Sequence, residues 1–178
     1  MKVFIIEGDY SYQYFLPQEN VPNSLGQPLP AGWKPPPFYV LEPNLKRGNF
    51  FHWFSWVLIC DHIALDVLRD LLEMSGELFD FTYKGENCSL LNPLHTFSVL
   101  DEDSSLWRRH YKTGEKTEVI EKYVFLPKRF CEVPIFKIPE DRVHLFTIEG
   151  MKHPEDEFKY RVEQSGLKGI TFTEVWSD

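Results

Sequence analysis

The run from His153 to Trp176, H-P-E-D-E-F-K-Y-R-V-E-Q-S-G-L-K-G-I-T-F-T-E-V-W, constrains the fold most, because it spells a complete helix–turn–strand unit. Pro154 suits a first helical turn, where its missing N–H would be unpaired anyway. Glu155, Asp156 and Glu157 follow in that turn, where the helix dipole favours negative charge. Phe158 and Val162 recur at helical spacing, and Ser165-Gly166 supplies the exit, with Gly166 in the left-handed conformation and Leu167 folding back on Val162. From Ile170 to Val175 the period changes to two, with Ile170 and Phe172 alternating against Thr171 and Thr173 as in a half-buried strand.

An earlier segment repeats this grammar. Asp61 reads as an N-cap, Ile63, Val67, Leu68, Leu71 and Leu72 as an apolar helix face, and Ser75-Gly76 as the exit into a strand from Leu78 to Tyr83. Asp66, Arg69, Asp70 and Glu73 gather on the opposite, solvated face. With Gly76 laid on Gly166, Leu68 matches Phe158 and Leu72 matches Val162, although the second strand starts one residue later. Internal duplication and the repeated use of a common helix–Gly–strand solution both account for the match.

Elsewhere, strands outnumber helices. Lys2 to Glu7 reads as a first strand and Tyr10 to Trp33 as a long connection holding Pro17, Pro22, Pro28 and Pro30. Pro35, Pro36 and Pro37 stiffen the lead into an extended segment from Phe38 to Glu42. Phe51 to Cys60 is expected to be a buried strand ended by Asp61. Leu94 to Leu100, Thr117 to Leu126, Pro134 to Ile138 and Val143 to Ile148 complete the set, and alternation in Thr117 to Leu126 lets both its faces be partly covered. The expectation is a single α+β domain over residues 1–178, with a mainly antiparallel or mixed β-sheet and two packed helices. At 178 residues and 43% apolar content the chain can bury roughly two thirds of its unfolded surface, enough for one core without staples. The 16% aromatic content supplies much of that core.

Several function classes find no support in the residues. A net charge of −8 would on average repel nucleic acid. The local basic group Arg108, Arg109 and Lys112 is offset by nearby Glu115, Glu118 and Glu121. Cys60, Cys88 and Cys131 are scattered without C-x-x-C spacing, a reduced pattern that points to the cytoplasm and to buried thiols. The amino end M-K-V-F-I-I-E-G-D is too short an apolar stretch for a secretory segment, so no export is expected. The apolar run Phe50 to Cys60 is interrupted by His52 and Ser55 and falls below the ~18 residues of a membrane span.

No spacing marks catalysis or a cofactor either. His52, His62, His95, His110, His144 and His153 form neither H-E-x-x-H nor H-x-H. Asp61-His62 is explained by the helix cap. Asp101, Asp103 and Ser105 alternate as in a calcium loop, but the required Gly is missing and Lys112 stands where Glu would be needed. There is no G-x-S-x-G elbow, and Gly166 and Gly169 follow a helix instead of preceding one, the reverse of a phosphate cradle. No catalytic, cofactor-binding or metal-ligating residue is therefore nominated.

Surface remains. Asp101, Glu102 and Asp103, ending at Trp107, form an acidic run expected on an exposed loop; it reads either as a solvated turn or as an acidic rim beside an aromatic anchor for a basic partner. Tyr10, Tyr12 and Tyr14 alternate on what reads as an edge strand, either as ordinary sheet packing or as rings presented on one face.

Four stretches together resemble a known family: W-K-P-P-P-F-Y-V-L at Trp33 to Leu41, V-L-R-D-L-L-E at Val67 to Glu73, S-L-L-N-P-L-H-T-F-S-V-L-D at Ser89 to Asp101, and E-F-K-Y-R-V-E-Q-S-G-L-K-G-I-T-F at Glu157 to Phe172. Over most of its length the chain is similar to the immunity-protein eleven family of bacterial polymorphic toxin systems. The resemblance implies an intracellular antitoxin-like protein, without catalytic residues, that binds and neutralises a cognate toxin in interbacterial competition. Its expected partner is that toxin, not nucleic acid or a membrane; self-association as a homodimer stays open. The rival readings are a small cytosolic enzyme whose site is assembled only in three dimensions, and a structural or regulatory module with another protein partner.

Overall fold

The computed structural model describes residues 1–51 and 56–178. Among the described residues the chain forms β1 (Lys2–Gly8), β2 (Phe15–Pro17), β3 (Phe38–Val40), β4 (Leu58–Asp61), α1 (His62–Ser75), β5 (Gly76–Tyr83), β6 (Glu86–Pro93), β7 (Leu106–Arg109), β8 (Lys116–Lys122), β9 (Phe136–Ile138), β10 (Asp141–Glu149), α2 (Phe158–Ser165) and β11 (Ile170–Ser177). A four-stranded sheet runs β11-β1-β10-β9 and a three-stranded sheet runs β4-β6-β5, with β2-β3 and β7-β8 as separate ribbons. Every pairing between these strands is antiparallel. This is the α+β architecture the sequence predicts.

Period-two alternation makes β1 the centre of the larger sheet. Val3 and Ile5 face one core cluster with Phe125, Phe136, Phe146 and Ile148, while Ile6 faces another with Leu145 and the helices. That second cluster gathers Leu58, Cys60 and Leu91 of the smaller sheet against Ala64, Leu65, Leu68, Leu71 and Leu72 of α1 and Phe158 and Val162 of α2. The helices thus occupy the space between the sheets. The other face of the smaller sheet, through Ile59, Cys88 and Leu90, is covered by Phe15, Phe38 and Phe51. Phe15 and Phe51 stack there with ring centroids 4.2 Å apart.

Local signals act largely as read. Asp61 caps α1, its Oδ1 accepting from the Ala64 amide at 2.9 Å. The buried stripe is Ala64, Leu65, Leu68, Leu71, Leu72 and Ser75, whereas Ile63 and Val67, expected on that face, are exposed. The stripe's phase leaves both at its edge, turned to solvent.

The two helix exits differ. Gly166 is left-handed at φ 69° and the Leu167 amide returns to the Val162 carbonyl at 3.3 Å, as expected. Gly76 is extended, with φ 169°. It is needed for room, because a Cβ there would lie 2.1 Å from the Asn92 carbonyl oxygen of neighbouring β6. The glycine equivalence behind an internal duplication is therefore absent. The start of α2 also differs: Pro154–Asp156 forms a separate 3-10 turn, and Glu157 is extended between it and the helix. Buried Glu157 accepts from the amides of Gly150 and Met151, both at 2.8 Å, so its carboxylate secures the preceding turn.

Leu94 to Leu100 is not a strand; it is held by single bridges from Thr96 to Lys137 and from Leu100 to Phe125. The strand of that region is β6, ending at Pro93. The expected Phe51 to Cys60 strand is reduced to β4 from Leu58, and its positions 52–55 lie outside the described residues. The expected Thr117 to Leu126 strand stops at Lys122: within β8 Ile120 alone is buried, and the irregular stretch after it buries Tyr123 and Phe125. Tyr10 to Trp33 is a connection apart from β2, whose partner β3 begins at Phe38 as the prolines foretell.

Candidate partner-binding surface

The acidic run lies on an exposed turn closed by its own first residue. The Asp101 amide donates to the Val124 carbonyl at 2.8 Å, the Asp101 carboxylate accepts from the Ser104 amide at 3.2 Å, and the Ser105 amide returns to the Asp101 carbonyl at 2.9 Å. Hydrogen bonding from Ser104 holds the Asp101 carboxyl below the usual carboxylate range. Asp101 is thus committed to the turn, and Glu102 and Asp103 remain at the surface.

Trp107 is half-buried on β7 and packs against the core cluster of Phe125 and Phe136. Its indole Nε1 donates to the Glu102 carbonyl at 3.3 Å. Lys116 Nζ stands 3.5 Å from the ring centroid and 3.4 Å from Glu102 Oε2. The expected exposed anchor is therefore a ring with one edge in the core and a lysine over its face.

These residues form one wall of an open groove of about 540 Å³ between the β7-β8 ribbon and the turn from β9 into β10. Four carboxylate residues line it, Glu102, Glu118, Glu140 and Asp141, against two cations, Lys116 and Arg142. Glu140 Oε2 is enclosed without a hydrogen-bond partner. Burial, with the nearby charge of Glu102, pushes the Glu140 carboxyl up. The groove offers carboxylates to a positively charged group, while Lys116 already holds the Trp107 ring face and one of them, Glu102. Glu140 and Lys116 were missed in the sequence, since no local pattern links positions 102, 116 and 140.

Tyr10, Tyr12 and Tyr14 do not form an edge strand. Tyr10 lies in a turn and is 76% exposed, Tyr12 makes one parallel bridge with Lys46, and Tyr10 and Tyr14 meet edge to face at 6.2 Å. A turn follows β1 directly, so alternation in sequence is not alternation on a sheet face. Tyr12 lines a different groove, with the α2–β11 connection. The basic trio is also resolved: Arg108 pairs with Glu121 at 3.2 Å, Arg109 donates to the Gly114 carbonyl, and Lys112 lies over Tyr111.

The sequence reading missed one titratable network. Asp141 Oδ2 accepts from Tyr123 Oη at 2.5 Å and lies 2.7 Å from His144 Nδ1, while Asp141 Oδ1 accepts from the amides of Val143 and His144. Burial opposes the charged form of each member of the Asp141–His144 pair. The bonds between them more than offset it, so Asp141 is held below the usual range and His144 above its own. D-x-x-H at the start of a strand was the available signal. Cys60 and Cys88 are buried, and burial raises both thiols, Cys88 to about 11, which suppresses nucleophilicity. Cys131 is exposed, against the expectation of three buried thiols. Among the described residues no three His, Cys, Asp or Glu side chains group as a metal site needs, and no helix is long and apolar enough to cross a membrane.

Sequence comparison finds no matching protein family and no matching curated protein.

Proposed function

We propose that this chain is a toxin-neutralising immunity protein, which binds and inhibits a cognate bacterial toxin in the cytoplasm without turnover. The observation that carries the reading is the groove beside half-buried Trp107, which is lined by Glu102, Glu118, Glu140 and Asp141 against Lys116 and Arg142. Such a surface suits a basic partner: the carboxylates steer encounter, and the ring with its apolar surroundings supplies buried area. The reading starts from the four stretches that resemble the immunity-protein eleven family, a resemblance that no family model bears out. In this reading Glu102 and Trp107 meet the partner in the groove, exposed Asp103 lies on the adjoining turn that Asp101 holds closed, and Tyr10, Tyr12 and Tyr14 are the alternative contact surface. Co-purification from the native host tests the proposal: the captured protein is expected to be a toxin whose activity disappears at one equivalent of this chain. Recovery of a metabolic enzyme assembly instead would contradict it.

The enzyme reading has one observation in its favour, the Tyr123–Asp141–His144 network. A carboxylate orienting an imidazole is half of an acid–base device. The described residues place no hydroxyl or thiol nucleophile in hydrogen-bond contact with His144, and the network's hydrogen bonds close the turn into β10. It is read here as structural.

A further inference from the structure

An edge strand turns a row of backbone donors and acceptors away from its sheet, so an uncovered edge is a template for a further strand. Most edges of this fold are closed or guarded. β9 is three residues long and is bridged through Lys137 to residues 95–97, and β4 is covered in the same way by residues 49–51. At the start of β5 the Leu29 amide donates to the Glu77 carboxylate at 2.9 Å, and Asp80 puts a charge near the middle of that strand. β8 is charged along its length, with Lys116, Glu118, Glu121 and Lys122.

β11 has none of these protections. It is eight residues long and lies at the end of its sheet, and among the described residues no backbone outside β1 hydrogen-bonds to it. It holds no lysine, arginine or proline, the residues that commonly guard an edge. Its one charge, Glu174, is paired with Lys2 of β1 at 3.2 Å. The register with β1 shifts between Val3 and Phe4, which makes Val175 the extra residue of a bulge and leaves residues 170–174 as a regular run. Thr171 and Thr173 are exposed on one face of that run. On the other, half-buried Phe172 stands 6.0 Å from the Phe158 ring of α2, edge to face.

This run is complementary to itself. Opposed residues of an antiparallel pair share a face, so a dyad relating two identical strands passes through a single position. With the dyad at Phe172, the centre of the run, Phe172 faces its own copy, each Thr171 faces the second copy's Thr173, and each Ile170 faces the second copy's Glu174. Aromatic and threonine pairs are favourable cross-strand matches, and no like charges are opposed. A dyad at Thr173 would set Phe172 against Glu174 and draw in the bulged Val175. A dyad at Thr171 would set Thr173 and Glu174 against Gly169 and Lys168, which precede the strand.

We propose that this chain forms a symmetric dimer through β11, the two four-stranded sheets joining into one continuous antiparallel sheet about a dyad at Phe172. The occupant of the edge is a second copy because the regular run supplies its own matching strand. The inference does not rest on toxin binding.

Sedimentation velocity of the whole protein from about 1 to 200 µM should show a monomer–dimer equilibrium with Kd on the order of 10 µM, since an edge contact is small. Thr171→Lys combined with Thr173→Lys opposes lysines at both ends of the contact and should weaken the dimer at least tenfold. Both side chains are exposed, so the fold itself is spared. Thr82→Lys, at an exposed position of β5, should leave the equilibrium unchanged. A second readout needs no variant: the outward amides of residues 170–174 should exchange hydrogen more slowly as concentration rises through the Kd, while those of β5 keep their rates. A monomer across the whole range, a dimer of equal strength in the double variant, or exchange slowed only outside β11 would each overturn the proposal. So would an edge that takes a strand of a different protein while the chain alone stays monomeric.

Discussion

His144 Nδ1 lies 2.7 Å from Asp141 Oδ2, three residues away on the same strand, and this pair gives the fold a pH dependence of definite sign. His144 keeps its proton to higher pH in the fold than its ordinary 6.5, so its contribution is fully present below that value and is lost as pH rises through the raised folded value. Asp141 is shifted the other way. Its contribution is present above its ordinary 3.8 and is lost as pH falls through the depressed folded value. Urea denaturation should find the stability margin of the wild type over His144→Gln present below pH 6.5 and shrinking as pH rises through the raised folded value. A margin that grows with pH would show that the imidazole is neutral in the fold.

Tyr123 gives the same carboxylate its second side-chain donor. Tyr123→Phe leaves the ring's stacking on Phe125 in place and removes only the hydroxyl, so it should cost about 1.5–3 kcal/mol, the range for a bond to a charged group. Asp141→Asn should abolish most of that difference, and a double-mutant cycle read by chemical denaturation measures the coupling.

On α1, Leu68→Ala and Leu72→Ala should each cost about 2–5 kcal/mol through lost burial and an unfilled cavity. Val67→Ala and Asp66→Ala, on the exposed side, should stay within about 0.5 kcal/mol. Denaturation midpoints of the four variants check the assignment, and equal midpoints would place the wrong face in the core.

Gly76 and Gly166 should respond to substitution for different reasons. Gly166→Ala meets open space but a left-handed backbone, and should cost about 1–2 kcal/mol, with Gly166→Asn milder. Gly76→Ala meets backbone of β6 and should cost about 3 kcal/mol or more by forcing strands apart. Thermal unfolding of the three variants distinguishes conformational strain from collision.

Readable and unreadable features divide along the range of the forces that set them. The Asp61 cap, the Gly166 exit and the leucines of α1 are fixed by neighbours within a few residues, and all were visible in the sequence. The strand β6 was not, because Asn87, Ser89, Asn92 and Pro93 break its apolar alternation. Its polar residues find partners across the fold: Ser89 donates to Asp80 at 2.6 Å, and Asn92 donates to Glu77 and accepts from Ser24. Leu94 to Leu100 has good strand composition but only isolated bridging partners, so composition without a ladder leaves it irregular. The acidic run and Trp107 could be singled out by proximity in sequence. That Lys116 would lie on the ring and Glu140 would close the groove required the tertiary fold.

Association of this chain with the proposed cognate toxin, followed by surface binding kinetics at two ionic strengths, tests the central claim most directly. Removing the groove's charge with Glu102→Gln, Glu118→Gln and Glu140→Gln should slow association and flatten its salt dependence, since peripheral charge governs encounter. Trp107→Ala should chiefly speed dissociation, by about 2 kcal/mol in affinity, and Lys116→Ala, which uncovers the ring, should not weaken binding. Complexes should form at one toxin per chain, and protection of toxin-expressing cells should follow dose in the same ratio. Rate constants unchanged in both the charge-neutralised and the Trp107→Ala proteins, or protection at far less than one equivalent, would contradict an acidic-groove inhibitor that works by binding alone.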